Sequence, residues 1–275
     1  MPELPEVETV VRTLRKLVVG KTIDQVIVHL PRIIRRPDDV QHFCAQLAGQ
    51  TIHRIERRAK FILFVLDHDI LISHLRMEGR YGLYQPGDEV EKHTHVVFRF
   101  TDKTELRYRD VRQFGTMDLL PADVAMTEEP LGKLGPEPLD EGFTPAQLKK
   151  MLKARTTKIK PLLLNQEFLV GLGNIYVDEA LFRASIHPER PAGKLTSKQV
   201  AQLHDAIVAT LQEAVDQGGS SIKSYVNGQG EMGMFQQSLK VYGRKGEPCE
   251  VCSTPIIRFV VGGRGTHICP RCQKE

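Results

Sequence analysis

The sequence predicts an α+β protein: an N-terminal β-sandwich flanked by helices, a helical second half, and a C-terminal β-hairpin ribbon closed around a metal. Three features carry that expectation. The hydrophobic period is two residues through positions 22–120 and becomes helical beyond position 145. The Pro- and Gly-rich stretch GKLGPEPLDEGFTP (132–145) stands between the two regimes. Near the end, Cys249-x-x-Cys252 and Cys269-x-x-Cys272 have the spacing of two metal-binding knuckles.

Taken in order, PELPEVETVVRTLRKLVVG reads as a helix. Val7, Val10, Val11, Leu14 and Leu17 recur at steps of three and four, and Gly20 stops it. Strands are expected at 22–30, 50–58, 59–67, 69–75, 94–100, 105–110 and 115–120, separated by turn signals such as PGD and TDK. After the linker, PAQLKKMLKA, TKIKPLLLNQ, NIYVDEALFRAS and TSKQVAQLHDAIVATLQEAVDQ are helical. The last carries an apolar stripe of Val200, Leu203, Ile207, Leu211 and Ala214. The segment 218–236 has low hydrophobicity and reads as a loop. The expected domains are 1–131, a linker at 132–145, a helical domain at 146–236 and a ribbon at 237–275.

Composition narrows the partners. The chain has 275 residues, a formal charge of +4 and no Trp. No apolar run is long enough to span a bilayer, and the N-terminus has no hydrophobic signal core, so an intracellular protein without a membrane partner is expected. Residues 1–130 carry 19 Lys/Arg against 20 Asp/Glu, whereas residues 131–275 carry 19 against 14. The run KKMLKARTTKIK (149–160) holds six cations and no acid, which suits a polyanion. A solvated helix face, the plainer interpretation, would mix in acids at i,i+4 spacing.

Four clusters can carry chemistry. The cysteine quartet predicts one structural Zn²⁺, all four positions being thiolates with none left open. A fifth cysteine, Cys44, and the missing signal core argue against two disulfides. Between the knuckles, β-branched runs flank Gly262, Gly263 and Gly265, giving a hairpin whose tip carries Arg264. At the other end of the chain, removal of Met1 would leave Pro2 with a secondary amine. Its adduct with an aldehyde-like carbon is a permanently charged iminium. Glu3 beside it can serve as proton donor if the terminus is buried against a ligand, although on the residues alone Pro2 and Pro5 are more simply plain helix starters. A third group lies on the strands: Lys60, His74, Met77, Glu78, His93, and Arg112 with Phe114 in RDVRQFG. A cation and an apolar wedge on one turn are what a protein needs to fill the gap left by an extruded base, although on the residues alone a solvated arginine and a core phenylalanine are the default. The fourth is GLGNIYVDEALF, with Asn174 as a natural N-cap.

Together these segments resemble the bacterial formamidopyrimidine-DNA glycosylases, the 8-oxoguanine glycosylases with AP lyase activity. The matching stretches are PELPEVETV, ERRAKFILF, LISHLRMEGR, YRDVRQFGT, LGPEPL, GLGNIYVDEALF, VYGRKGEPC and GRGTHICPRCQ, which run the length of the chain. The resemblance implies a helix-two-turn-helix in the 146–236 domain and base excision of oxidised purines from double-stranded DNA, or processing of abasic sites, by a cytoplasmic, nucleoid-associated monomer. It assigns Pro2 as nucleophile, Glu3 as proton donor, Lys60 to β-elimination and Arg264 to δ-elimination. It places Met77, Arg112 and Phe114 in the vacated stack, and His74, His93, Arg155, Asn174 and Tyr242 on DNA. Glu78 and the 218–236 loop, with Ser220 and Tyr225, are expected around the everted base. Gln113 departs from the lysine of RDVRKFG, and Thr156 from a position that is often basic; Arg155 or Lys158 can cover the latter. The competing expectation is a non-catalytic zinc-ribbon DNA-binding protein.

Overall fold

The computed structural model describes residues 1–220 and 233–275; Tyr225 and most of the expected 218–236 loop lie outside the described residues. The described chain divides into two compact units. One holds Met1–Lys133 with residues 218–220 and 233, the other Leu134–Gln217 with Met234–Glu275.

In the first unit, α1 (Leu4–Val18) buries Leu4, Val7, Val10, Val11, Leu14 and Val18. Leu17, expected on that stripe, is only partly buried, because the positions 4, 7, 11, 14 and 18 track the helical repeat more closely. The strands are β1 (Ile23–Val28), β2 (Ile34–Arg36), β3 (Arg54–Arg58), β4 (Phe61–Val65), β5 (Asp69–His74), β6 (Arg80–Tyr84), β7 (Thr94–Phe100), β8 (Glu105–Arg109) and β9 (Thr116–Pro121). They form a four-stranded sheet, β1-β7-β8-β6, and a five-stranded sheet, β2-β9-β5-β4-β3. One apolar core takes side chains from both sheets, including Ile62, Phe64, Leu71, Val96, Phe98, Leu106 and Tyr108. Every pairing is antiparallel except β2 on β9, which is parallel. The helix α2 (Val40–Leu47) buries Phe43 and Leu47, and Asp39 caps it by accepting from the Gln41 N–H at 2.8 Å.

The second unit contains α3 (Pro145–Leu152), α4 (Ile159–Leu164), α5 (Asn174–Arg183) and α6 (Ser197–Asp216). The five expected stripe residues of α6 are all buried, and a Thr196–Gln199 capping box starts the helix. The basic run 149–160 is not one helix: α3 ends at Leu152 and α4 begins at Ile159. Lys160, counted there as a surface cation, is 0% exposed. The ribbon is the hairpin β10 (Ile257–Val261) with β11 (Arg264–Ile268). Val261 pairs with Arg264, so Gly262 and Gly263 form a two-residue tip, both at positive φ (55° and 75°). That is the turn chemistry the glycines promised.

Candidate functional site

In the first unit, strand register gathers the candidate residues at one end of the five-stranded sheet. β3 and β4 pair Arg58 with Phe61, so their hairpin turns on two residues, Ala59 and Lys60. β4 and β5 pair Phe61 with His74, and β5 and β9 pair His74 with Thr116. The Lys60 turn, the 75–79 turn and the 110–115 loop therefore emerge side by side. The helix α1 runs along β3, with Arg15 donating to the Ile55 carbonyl at 2.7 Å and Glu8 paired to Arg57 at 3.1 Å. Its N-terminus thus points toward the Lys60 end. Pro2, Glu3 and Lys60 are all buried; Lys60 is 5% exposed, an unusual state for a lysine in a two-residue turn.

The start of α1 is clamped by Glu6, whose carboxylate accepts from the Glu3 N–H at 2.8 Å and from the Ser220 N–H at 2.7 Å. A Cβ at Gly219 would lie 2.8 Å from that carboxylate. The capping-box spacing Glu3-x-x-Glu6 is the sequence signal for this clamp. The Ser220 hydroxyl is buried with no hydrogen-bond partner among the described residues.

His74 is buried, and its ring meets Phe61 edge-on at 4.6 Å. Its Nδ1 accepts from the Arg76 N–H at 2.9 Å, which fixes the turn carrying Met77 and Glu78, both half-buried. Burial, aided by Arg76, Lys60 and Arg35, lowers the imidazole pKa to about 3, so His74 is neutral at physiological pH. The next loop hangs on Asp110. Its fully buried carboxylate accepts from the N–H groups of Arg112 (3.0 Å), Phe114 (2.9 Å) and Gly115 (2.8 Å). Phe114 is 53% exposed, and the Arg112 guanidinium lies 4.9 Å from its ring centre. A Cβ on Gly79 or Gly115 would fall 2.3 or 1.7 Å from the Tyr108 hydroxyl, so both turns need glycine to close on it. His93 is half-buried, and its carbonyl accepts from the Asp110 N–H at 3.1 Å.

Positive φ marks the same places. Ala59, Arg76, His93 and Gln113 all adopt it (52–69°), each in or beside one of these turns. None of the four is a glycine, asparagine or aspartate, the residue types that take this conformation most readily.

In the second unit, Arg264 is the first residue of β11 and is exposed. The neighbouring Gly265 carbonyl accepts from Lys160 Nζ at 3.2 Å and from Asn174 Nδ2 at 2.8 Å. Asn174 is therefore not the cap of α5. Gly173 holds that position, and the Asn174 side chain is drawn to the ribbon instead. Lys160 also reaches Asp178 at 2.6 Å and the Thr266 hydroxyl at 2.8 Å, while Asp178 accepts from the His267 N–H at 2.9 Å. Glu179 accepts from three successive N–H groups, Lys240, Val241 and Tyr242, at 2.8–2.9 Å. The Tyr242 ring rests 5.0 Å from that of His267. Arg155 is exposed, its guanidinium 5.9 Å from the Phe168 ring centre. A cavity of about 490 Å³ in this unit is lined by Phe182, Thr210 and Phe235; of the expected site residues among the described ones, only Cys272 borders it.

The four cysteine sulfurs lie within 4.8 Å of one another, with separations of 3.4, 3.6 and 3.9 Å among them. A tetrahedron with Zn–S bonds of about 2.3 Å has edges of about 3.8 Å, whereas a disulfide would need about 2.05 Å. The donor set fits zinc. Gln273 braces it, accepting from the Cys269 N–H and donating to the Ile186 carbonyl in the turn that follows α5.

Known proteins match over this whole length. Residues 1–117 match the formamidopyrimidine-DNA glycosylase N-terminal domain, 134–226 its H2TH domain, and 246–274 the zinc finger found in FPG and IleRS. A formamidopyrimidine-DNA glycosylase of Brevibacillus brevis is 74% identical over 275 residues, covering both chains completely. That of Halalkalibacterium halodurans is 63% identical over 274 residues, again with complete coverage of both. Among solved structures, a Lactococcus lactis FPG mutant in complex with Fapy-dG-containing DNA superposes with a TM-score of 0.94 at 43% identity, covering 100% of both chains. A complex of Lactococcus lactis Fpg with abasic-site DNA gives 0.92 at 43%, covering 99% of this chain and 100% of that one.

Proposed function

The chain belongs to the formamidopyrimidine-DNA glycosylase family, and we propose that it excises oxidised purines from duplex DNA and cleaves the strand through a Schiff base on Pro2. It is a base-excision repair enzyme, a bifunctional glycosylase and AP lyase, whose partner is double-stranded DNA carrying 8-oxoguanine, formamidopyrimidine or abasic lesions. One structural Zn²⁺ is held by Cys249, Cys252, Cys269 and Cys272. The non-catalytic alternative falls with the family assignment. No described helix is long and apolar enough to cross a membrane. We place the enzyme in the bacterial cytoplasm, on the nucleoid, as a monomer.

The observation that carries the mechanism is the burial of Pro2 and Glu3 at the positive end of α1, beside the turn of the buried Lys60. Once Met1 is removed, the Pro2 nitrogen forms a bond to C1′ while the glycosidic C1′–N bond breaks and the base departs. Glu3 protonates the ring oxygen as the C1′–O bond opens, leaving the positively charged iminium. That electron sink acidifies the C2′ hydrogen, and loss of that proton with help from Lys60 expels the 3′ phosphate. Continued elimination, assigned to Arg264, expels the 5′ phosphate. A neutral His74 fits this chemistry, because it adds no further cation beside a lysine that must exchange protons. Arg112 and Phe114 fill the emptied stack with Met77, and Glu78 and Ser220 meet the extruded base. His93, Arg155, Asn174 and Tyr242 grip the backbone.

Borohydride trapping tests this directly. Incubation with an 8-oxoguanine duplex and borohydride is expected to give a covalent protein–DNA adduct, and Pro2→Gly is expected to bind the duplex but lose strand cleavage. Undiminished cleavage by Pro2→Gly would remove Pro2 as nucleophile.

A further inference from the structure

The parallel pairing of β2 with β9 has a specific consequence: the segment that enters β2 lies beside the loop that enters β9. The first is the 3₁₀ turn Pro31–Ile33, the second is the 110–115 loop with Arg112 and Phe114. Across this junction the Arg32 guanidinium donates to the Gln113 side-chain oxygen. Because arginine has only donors, the atom facing it must be Oε1, which fixes the amide orientation and turns the Gln113 NH₂ away from Arg32. Gln113 sits at φ 58°, so this bond also braces a left-handed backbone between the two wedge residues.

Charge at this edge bears on the same junction. Several arginines of the unit are paired with carboxylates: Arg57 with Glu8, Arg99 and Arg107 with Glu105, Arg109 with Glu91, Arg36 with Asp118. Arg32 and Arg112 are exposed and have no carboxylate within 4.0 Å among the described residues. Two exposed guanidinium groups flanking an exposed phenylalanine make that edge a positive patch suited to an anion.

We propose that Arg32 is a DNA-contacting residue acting as a pair with Gln113: it supplies a cation to a backbone phosphate beside the wedge and aims the Gln113 NH₂ at the same strand. The remaining guanidinium N–H groups suit a phosphate oxygen pair. The arrangement rests on the proposed action on damaged DNA and explains how position 113 can do without a charge of its own.

The test measures binding to a duplex containing a tetrahydrofuran abasic analogue, by fluorescence anisotropy from 50 to 200 mM KCl. Arg32→Gln keeps a donor for Gln113 and removes the charge. It is expected to lower the slope of log K against log salt by about 0.9, so that affinity falls about 3.5-fold less across that range. Gln113→Ala is expected to weaken binding with the slope unchanged, and Arg32→Gln/Gln113→Lys to restore the wild-type slope. An unchanged slope in Arg32→Gln, or no recovery in the double variant, overturns the assignment. Wild-type protein that shows no salt-dependent binding of this duplex would instead overturn the proposed function itself.

Discussion

The wedge loop and the ribbon tip are both exposed functional turns, yet opposite chemistry holds them. Asp110 grips the wedge loop from below as an acceptor, collecting three backbone N–H groups and no cation. At the ribbon tip, Lys160 and Asn174 grip as donors, and the carbonyl of Gly265 is what they hold. The difference follows from what each turn leaves unsatisfied. A tight loop around positive φ at Gln113 turns its N–H groups inward, while a two-residue hairpin turn leaves the next carbonyl facing the helix. A carboxylate can be stabilised in the interior by N–H bonds alone, but a buried ammonium needs an anion. Asp178 supplies it, and the second clasp is therefore an ion pair. The tip is in addition fixed by metal. The two devices should fail differently.

Zinc removal gives the largest separation. Structural zinc sites contribute on the order of 10 kcal/mol to their modules. Chelation is expected to abolish amide protection across 257–268 while leaving 110–121 protected, as read by hydrogen exchange. Equal loss in both segments would break the contrast. Next is Lys160→Met, which strands Asp178 without its cation and is expected to cost about 3–5 kcal/mol in denaturant unfolding. Lys160→Met/Asp178→Asn should recover most of that, since the amide oxygen still accepts the His267 N–H. If the double variant is no more stable than the single, the ion pair is not what the clasp rests on.

Asp110→Asn is a smaller perturbation, about 1–3 kcal/mol, because one carboxylate oxygen becomes a donor facing N–H groups. Its expected signature is a larger loss in excision rate than in stability, through a wedge loop no longer held in place. These clasps mark where the sequence ran out. Period and spacing were enough for α1, the stripe of α6, the cysteine quartet and the Gly262–Gly263 tip, since each is a local pattern. β2 and β6 were missed: β2 has three residues and a parallel partner far along the chain, and Gly82 interrupts the alternation of β6. The helix α2, not among the expected elements, has a readable signal in Asp39 followed by Phe43 and Leu47. Lys160 looked like one more member of a basic run, because a buried ion pair depends on a partner 18 residues away. Asn174 looked like a cap for the same reason: its actual acceptor is 91 residues distant.

The gentlest probe of the wedge end uses pH. His74 has its folded pKa lowered to about 3, against an unfolded value near 6.5, so the unfolded chain takes up the proton first. The stability associated with the neutral ring is thus complete above pH 6.5 and is lost as pH falls through that value toward 3, at about 1.4 kcal/mol per pH unit. His74→Asn keeps an acceptor for the Arg76 N–H without a titratable ring. Between pH 6.5 and 5, the wild-type denaturation midpoint should fall more steeply than that of the variant; parallel lines would mean that His74 is not buried neutral. In hydrogen exchange over the same range, the 75–79 turn should lose protection faster in the wild type than in His74→Asn. Protonation converts His74 Nδ1 from acceptor to donor, and the Arg76 N–H that holds the Met77 turn is left with nothing to bond.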